Sequence, residues 1–162
     1  MHENQTKHRS LCRALERAAR DGHLVLAGAG AEFERGLPYG VWVDALDDYV
    51  ASQDLALAGD ATHELGRVLP SLHNGDGGGA MVADERYRVH RAMRSLLAAL
   101  SDDQALLLVL DDLQAADEGS ILLLEFLATA LPEMPALVVA LGRPETARLD
   151  ELERHATRIV RL

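Results

Sequence analysis

Two adjacent carboxylates, Asp111 and Asp112, directly follow the aliphatic run Leu106–Leu110. An apolar run of this length without alternation is typical of a strand buried on both faces of a parallel sheet. Open α/β sheets bind ligands in the crevice at the carboxyl ends of their strands, so we expect the pair to lie there. In a Walker B strand one such carboxylate holds the Mg²⁺ of a nucleotide and its neighbour polarises the attacking water. The plainer alternative is an acidic pair solvated at a strand end.

Nucleotide chemistry also requires a phosphate-binding loop, and no G-x-x-x-x-G-K-[ST] string occurs in this sequence. In that loop glycine amides cradle the phosphates, the lysine offsets their charge and the hydroxyl holds Mg²⁺. Gly28-Ala29-Gly30 leads into Ala31–Glu34 without a lysine. The glycine run Gly75–Gly79 lacks both a lysine and a preceding strand, so it is interpreted as a mobile loop.

Other catalytic chemistries find little support in the sequence. Ser120 does not lie in a G-x-S-x-G string, and Cys12 is a lone cysteine on the face of a predicted helix. The seven histidines show no repeated metal-ligand spacing. Asp117 directly precedes a predicted helix, and capping that helix is a simpler role for it than catalysis.

Length and composition favour one α/β domain. A chain of 162 residues with 48% hydrophobic residues is long enough to bury a core. Its formal charge of −10 argues against holding nucleic acid by itself. The polar first residues show no secretory signal, no apolar run reaches membrane-spanning length, and the single cysteine fits a reducing compartment. We therefore expect a cytoplasmic location without direct membrane contact.

The elements that must position these residues alternate along the chain. Buried strands are predicted at His23–Gly28, Leu106–Leu110 and Ala136–Leu141, with a further strand at Arg158–Leu162. Apolar residues at helical spacing predict helices at Arg9–Arg20, Val41–Ser52, Ala61–Leu69, Asp84–Leu100, Glu118–Leu131 and Thr146–His155. Trp42 and Tyr49 share a face of the second helix and are expected in the core. Alternating strands and helices are typical of a parallel α/β sheet.

Several passages of the chain together form a pattern that is specific to one family, because they occur in the family's order and at plausible spacing. They are Ala31–Gly40 with Trp42 and Asp44–Leu46, then Glu85–Arg88, Leu106–Asp112, Asp117-Glu118 and Gly142–Glu145. They resemble the ATPase module of large LuxR-type (MalT-like, STAND-class) transcriptional regulators, from about Leu11 to the C-terminus. The resemblance implies a P-loop NTPase (AAA-type) core with helices on both faces of the sheet, using ATP and Mg²⁺. It also implies that Asp111 holds the metal and that Asp112 orients the water. Arg143, at the end of a strand, would then read the γ-phosphate; a solvated turn arginine is the alternative.

Two departures from the family pattern stand out. Gln114 and Ala115 occupy positions where the family usually has a His-Trp pair. The helix Arg9–Arg20 matches the helix that follows the family's phosphate loop, so the loop's Lys and Ser/Thr fall on His8 and Arg9. The first strand and that loop therefore have no counterpart. The sequence predicts a single truncated, incomplete P-loop NTPase-like domain over residues 1–162, with an open edge on the Leu137 strand unless Arg158–Leu162 fills it.

Two functions from different classes remain open. In the first, the chain is the ATP-binding and hydrolysing module of a LuxR-type regulator, inactive without its phosphate loop. In the second, it is a non-catalytic interaction or structural remnant that binds no nucleotide and packs against a full-length relative or nothing. The partners expected are ATP, a full-length relative or the missing domains of the same regulator; nucleic acid is not expected to contact this segment.

Overall fold

The structure, a computed structural model, describes residues 2–31, 38–55, 57, 60–73, 82–143, 152 and 154. Its helices are α1 (His2–Arg20), α2 (Gly40–Ser52), α3 (Ala61–Leu65), α4 (Ala83–Ser101) and α5 (Glu118–Ala128). Its strands are β1 (Leu24–Ala29), β2 (Leu106–Asp111) and β3 (Ala136–Ala140). The loop predicted at Asn74–Gly79 and the strand predicted at Arg158–Leu162 lie outside the described residues, as does most of the helix predicted at Thr146–His155.

The three strands form a parallel sheet in the order β1-β2-β3. Leu24 lies opposite Leu106 and Ala29 opposite Asp111, so β1 and β2 end at the same level. On the other side of β2, Leu106 is paired with Ala136. The predicted α/β class with a parallel sheet is confirmed, and β2 is the central strand of the three.

One face of the sheet packs on the main hydrophobic core. Alternate residues of β2, Leu106, Leu108 and Leu110, are at most 2% exposed, because α2 and α4 contact this strand and α5 packs against both helices. Trp42 on α2 is fully buried in this core and Tyr49 packs at its margin, as predicted. Burial of each large apolar side chain stabilises the folded state by about 1.5–3 kcal/mol.

The opposite face is covered only in part. α1 contacts β1, and its half-buried residues Leu11, Leu15 and Ala18 lie outside the main core. Among the described residues β3 pairs with β2 alone, and Leu137 is 60% exposed. The edge expected at the Leu137 strand is therefore open over the part of the chain that the structure describes.

Two glycines bring the chain close together at the carboxyl end of β1. A Cβ on Gly28 would lie 2.4 Å from the carbonyl oxygen of Val41 and 2.6 Å from the Ala45 nitrogen, so α2 sits directly on the strand. A Cβ on Gly30 would lie 2.6 Å from the carbonyl oxygen of Asp112. The Gly28-Ala29-Gly30 segment thus serves close packing, because only glycine fits at both approaches.

Two predicted helices are shorter than expected. The helix predicted over Ala61–Leu69 ends at Leu65, and at Gly66 the chain turns back so closely that a Cβ would lie 2.6 Å from the Leu72 carbonyl oxygen. The helix predicted over Glu118–Leu131 ends at Ala128. Pro132 follows in a 3-10 turn, and a proline ring sterically disfavours the α-helical conformation of the residue that precedes it. No helix among the described residues combines the length and the apolar character needed to cross a membrane.

Candidate functional site

The acidic pair ends the central strand and turns the chain sharply. Asp111 is the last residue of β2 and is half-buried, while Asp112 is exposed with a left-handed backbone (φ 52°, ψ 40°). Asp is one of the few residues that tolerates this conformation, because its short side chain can bond locally. The backbone N–H of Asp112 donates to Oδ1 of Asp111 over 2.7 Å.

A glutamine links the pair to the end of β3. Nε2 of Gln114 donates to Oδ1 of Asp112 over 2.6 Å, and Oε1 of Gln114 accepts the Arg143 backbone N–H over 3.2 Å. The backbones are joined as well, since the Leu113 N–H donates to the Leu141 carbonyl at 3.0 Å. The structure thus brings the three predicted site residues to one edge of the sheet. We call this group the acidic edge: Asp111, Asp112, Gln114 and Arg143.

The end of β1 borders the same edge. The Gly30 N–H donates to the backbone carbonyl of Asp111 over 2.9 Å, and the Ala29 N–H donates to Oδ2 of Asp44 on α2 over 2.9 Å. A small open pocket lies beside it, lined by Gly30, Ala31, Gly40, Val41, Ala115, Ala116 and Asp117. The backbone amides of Ala29 and Gly30 are therefore already hydrogen-bonded within the protein.

Asp117 joins two helices through its carboxylate. Its carboxylate accepts the Ser120 N–H over 3.0 Å, the Ser120 hydroxyl, and the Gly40 N–H over 3.2 Å. The predicted capping of α5 is confirmed, and the same side chain also binds the first amide of α2. We call this group the α2 junction: Gly28, Tyr39, Gly40, Asp117 and Ser120.

Tyr39 sets the entry of α2 and is held by a buried histidine. Its backbone is left-handed (φ 64°) and its side chain is 1% exposed. The phenol oxygen lies 3.3 Å from Nε2 of His90, whose ring also packs against Phe126. Burial lowers the pKa of His90 and Arg86 lowers it further. Burial likewise raises the pKa of Tyr39, opposed by Arg86.

A family model described as an AAA ATPase domain matches residues 9–139, which is most of the chain. The chain belongs to this family. An AAA ATPase domain is an ATP-binding module of the P-loop NTPase type, and the family uses ATP with Mg²⁺. Comparison with curated proteins and with solved structures gives no match.

The acidic edge of this AAA ATPase domain fits the metal half of a nucleotide site. Mg²⁺ prefers oxygen ligands and is commonly held by one or two carboxylates together with substrate phosphates and water. Asp111 offers such a carboxylate at the carboxyl end of the central strand. Within the described ranges no three His, Cys, Asp or Glu side chains converge on one point. A Mg²⁺ ion at Asp111 would therefore need phosphate and water oxygens to complete its coordination.

The described residues do not supply a glycine-rich loop that could bind the phosphates of a nucleotide. At the glycine segment Gly28–Gly30, backbone atoms of Val41, Ala45 and Asp112 lie 2.4–2.6 Å from where a Cβ would stand. There is no space left there for a phosphate to approach the backbone. The glycines that a nucleotide site requires are therefore not these.

Sequence reasoning identified Asp111, Asp112 and Arg143 but gave no role to two of their neighbours. In the sequence Gln114 stands out only as a departure from the family pattern, since its bond to Arg143 spans 29 positions. Asp44 belongs to a passage that resembles the family, but its bond to Ala29 spans 15 positions and has no signal in the local sequence. The one available signal was the place of Gln114 two residues after Asp112, in a turn that polar side chains commonly stabilise.

Proposed function

We propose that this AAA ATPase domain is the ATP-binding regulatory module of a LuxR-type transcriptional regulator. The observation that carries the proposal is the acidic edge, in which Asp111, Asp112 and Arg143 lie together at the carboxyl ends of β2 and β3. Nucleotides bind at such an edge in open α/β sheets. The LuxR-type context rests on the residue patterns of the sequence.

Each residue of the acidic edge has a distinct role in this proposal. Bound ATP·Mg²⁺ supplies the phosphoanhydride bond to be cleaved and the ion that offsets its charge. The Asp111 carboxylate binds the ion, and the exposed Asp112 carboxylate orients a water molecule toward the γ-phosphate. The Arg143 guanidinium offsets the negative charge on that phosphate.

The position of α1 supports a phosphate site above the acidic edge. α1 ends at Arg20 and β1 begins at Leu24, so the helix runs back along the strand. A six-residue strand spans about 20 Å, which is the rise of about 13 helical residues. Counted back from Arg20, His8 and Arg9 lie at about that distance along α1, which itself begins at His2. These are the positions on which the family's Lys and Ser/Thr fall.

The 162 residues contain no Gly-Lys loop, so we expect no ATP turnover by this chain alone. The phosphate-binding half would have to come from sequence outside it. The first test is to translate the DNA upstream of the Met1 codon. An in-frame β-strand followed by a glycine-rich loop with Lys-Ser/Thr would support the proposal.

The second test measures nucleotide binding by calorimetry. We expect no micromolar binding of ATP·Mg²⁺ by the 162-residue chain, and micromolar binding by the chain that includes the upstream loop. Asp111→Asn should weaken that binding, because the ion loses a charged ligand. Asp102→Asn is the matched control, since Asp102 is an exposed aspartate at the other end of β2.

The alternative, a remnant that binds no nucleotide, makes a different prediction. It expects no loop-coding sequence upstream and no ATP·Mg²⁺ binding by any natural form of the chain. Micromolar binding by the 162 residues alone would contradict both the alternative and the need for an external loop.

A further inference from the structure

Gln114 makes one hydrogen bond as a donor and one as an acceptor, to residues at the ends of two neighbouring strands. Its Nε2 donates to Asp112 Oδ1 at 2.6 Å and its Oε1 accepts the Arg143 N–H at 3.2 Å. Rotating the carboxamide by half a turn would set its oxygen against the carboxylate and its N–H groups against the Arg143 N–H. The two neighbours together therefore fix the orientation of the amide.

The backbone holds Gln114 in place for this role. It is the middle residue of the 3-10 turn Leu113–Ala115, and both of its neighbours in that turn are at most 5% exposed. The Leu113 N–H is bonded to the Leu141 carbonyl, which anchors the turn to the end of β3. The half-buried Gln114 side chain is thus presented between the ends of β2 and β3 by two buried residues.

We infer that Gln114 is a positioning residue, which sets the direction of the Asp112 carboxylate and couples it to the chain segment that carries Arg143. An exposed aspartate side chain otherwise populates several χ1 rotamers. A hydrogen bond to a carboxylate is stronger than one between neutral groups, so this bond is able to select one rotamer. The inference rests on the proposed function, in which Asp112 orients the water and Arg143 offsets the charge of the γ-phosphate.

The test is NMR on the full 162-residue chain without ligand, comparing Gln114→Glu and Gln114→Ala with the wild type. Three-bond couplings from the Asp112 Cγ to the backbone N and C′ report the χ1 rotamer. We expect a single rotamer in the wild type and averaged couplings in both variants, because neither variant can donate to Asp112. Gln104→Ala is the control, since Gln104 is exposed at the other end of β2.

Hydrogen exchange of the Arg143 amide tests the hydrogen bond between Gln114 and Arg143 separately from the bond between Gln114 and Asp112. Gln114→Glu keeps an acceptor for this amide, so its exchange rate should stay near that of the wild type. Gln114→Ala removes the acceptor, and exchange should become about fivefold faster, as expected for losing a hydrogen bond of ordinary strength. If Gln114 only stabilised the fold, its replacement would lower the melting temperature without changing the Asp112 couplings.

A single Asp112 rotamer in both variants would overturn the inference. That outcome is independent of the proposed function, because it is read without nucleotide. Conversely, failure of ATP·Mg²⁺ to bind any natural form of the chain would remove the proposed function while leaving the measured coupling between Gln114 and Asp112 intact.

Discussion

The acids of the acidic edge and the single acid of the α2 junction lie within six residues of each other in sequence, yet their surroundings differ. At the α2 junction, the Asp117 carboxylate accepts from three donors, which belong to Gly40 and Ser120. At the acidic edge, Asp112 is exposed and Asp111 is half-buried. One acid is saturated by the protein's own donors, while the pair remains accessible from solvent.

This difference separates an acid that builds the fold from acids that are available to a ligand. A carboxylate that already accepts several hydrogen bonds from the protein has little capacity left for a metal ion or water. Removing it leaves helix amides without partners, which costs stability. Substitution at the α2 junction should therefore change stability, whereas substitution at the acidic edge should change ligand binding.

The largest effect is expected at Gly28, where α2 contacts β1. Gly28→Ala should destabilise the protein by about 3 kcal/mol, because the added methyl group would meet backbone atoms that have little room to move. Gly40→Ala is the matched control, since a Cβ there meets nothing within 4 Å. Urea denaturation followed by the fluorescence of Trp42 measures both. Equal stability of the two variants would show that α2 is not packed on β1 as described.

The second effect distinguishes the two groups of acids directly. Asp117→Ala should lower the free energy of unfolding by about 2 kcal/mol, from the lost α5 cap and the lost bond to the Gly40 N–H. Asp112→Asn should change it by less than about 0.5 kcal/mol, since the residue is exposed and Asn also tolerates the left-handed backbone. Thermal unfolding followed by circular dichroism compares them. A larger loss at Asp112 would erase the distinction drawn between the two regions.

The smallest effect is a pH dependence at the α2 junction, through the His90 that contacts Tyr39. The pKa of His90 is lowered in the folded state. Below the ordinary histidine pKa of about 6.5, the unfolded chain therefore binds a proton that the folded chain does not. Stability should be full above that value and fall as the pH decreases from it toward the lowered folded pKa.

The measurement for His90 is the slope of unfolding free energy against pH below 6.5. His90→Gln should reduce this slope, whatever its effect on stability at neutral pH. His63→Gln serves as the control, because His63 is exposed on α3. An unchanged slope in His90→Gln would place the acid sensitivity elsewhere in the molecule.

Much of the fold was predictable because it depends on local pattern. The aliphatic run before Asp111 predicted the central strand, and the Asp117-Glu118 start predicted the capped α5. The ends of α3 and α5 were less predictable. They depend on how the chain folds back at Gly66 and on the proline at position 132.

The sequence by itself determined the parallel α/β arrangement, the family and the acidic pair at a strand end, because periodicity and motif spacing are properties of neighbouring residues. Only the tertiary structure decided which carboxylates accept hydrogen bonds from distant parts of the chain. Asp117 meets Gly40 across 77 positions and Gln114 meets Arg143 across 29. Such contacts depend on strand register and helix packing, which bring distant donors to one carboxylate and leave another exposed to solvent.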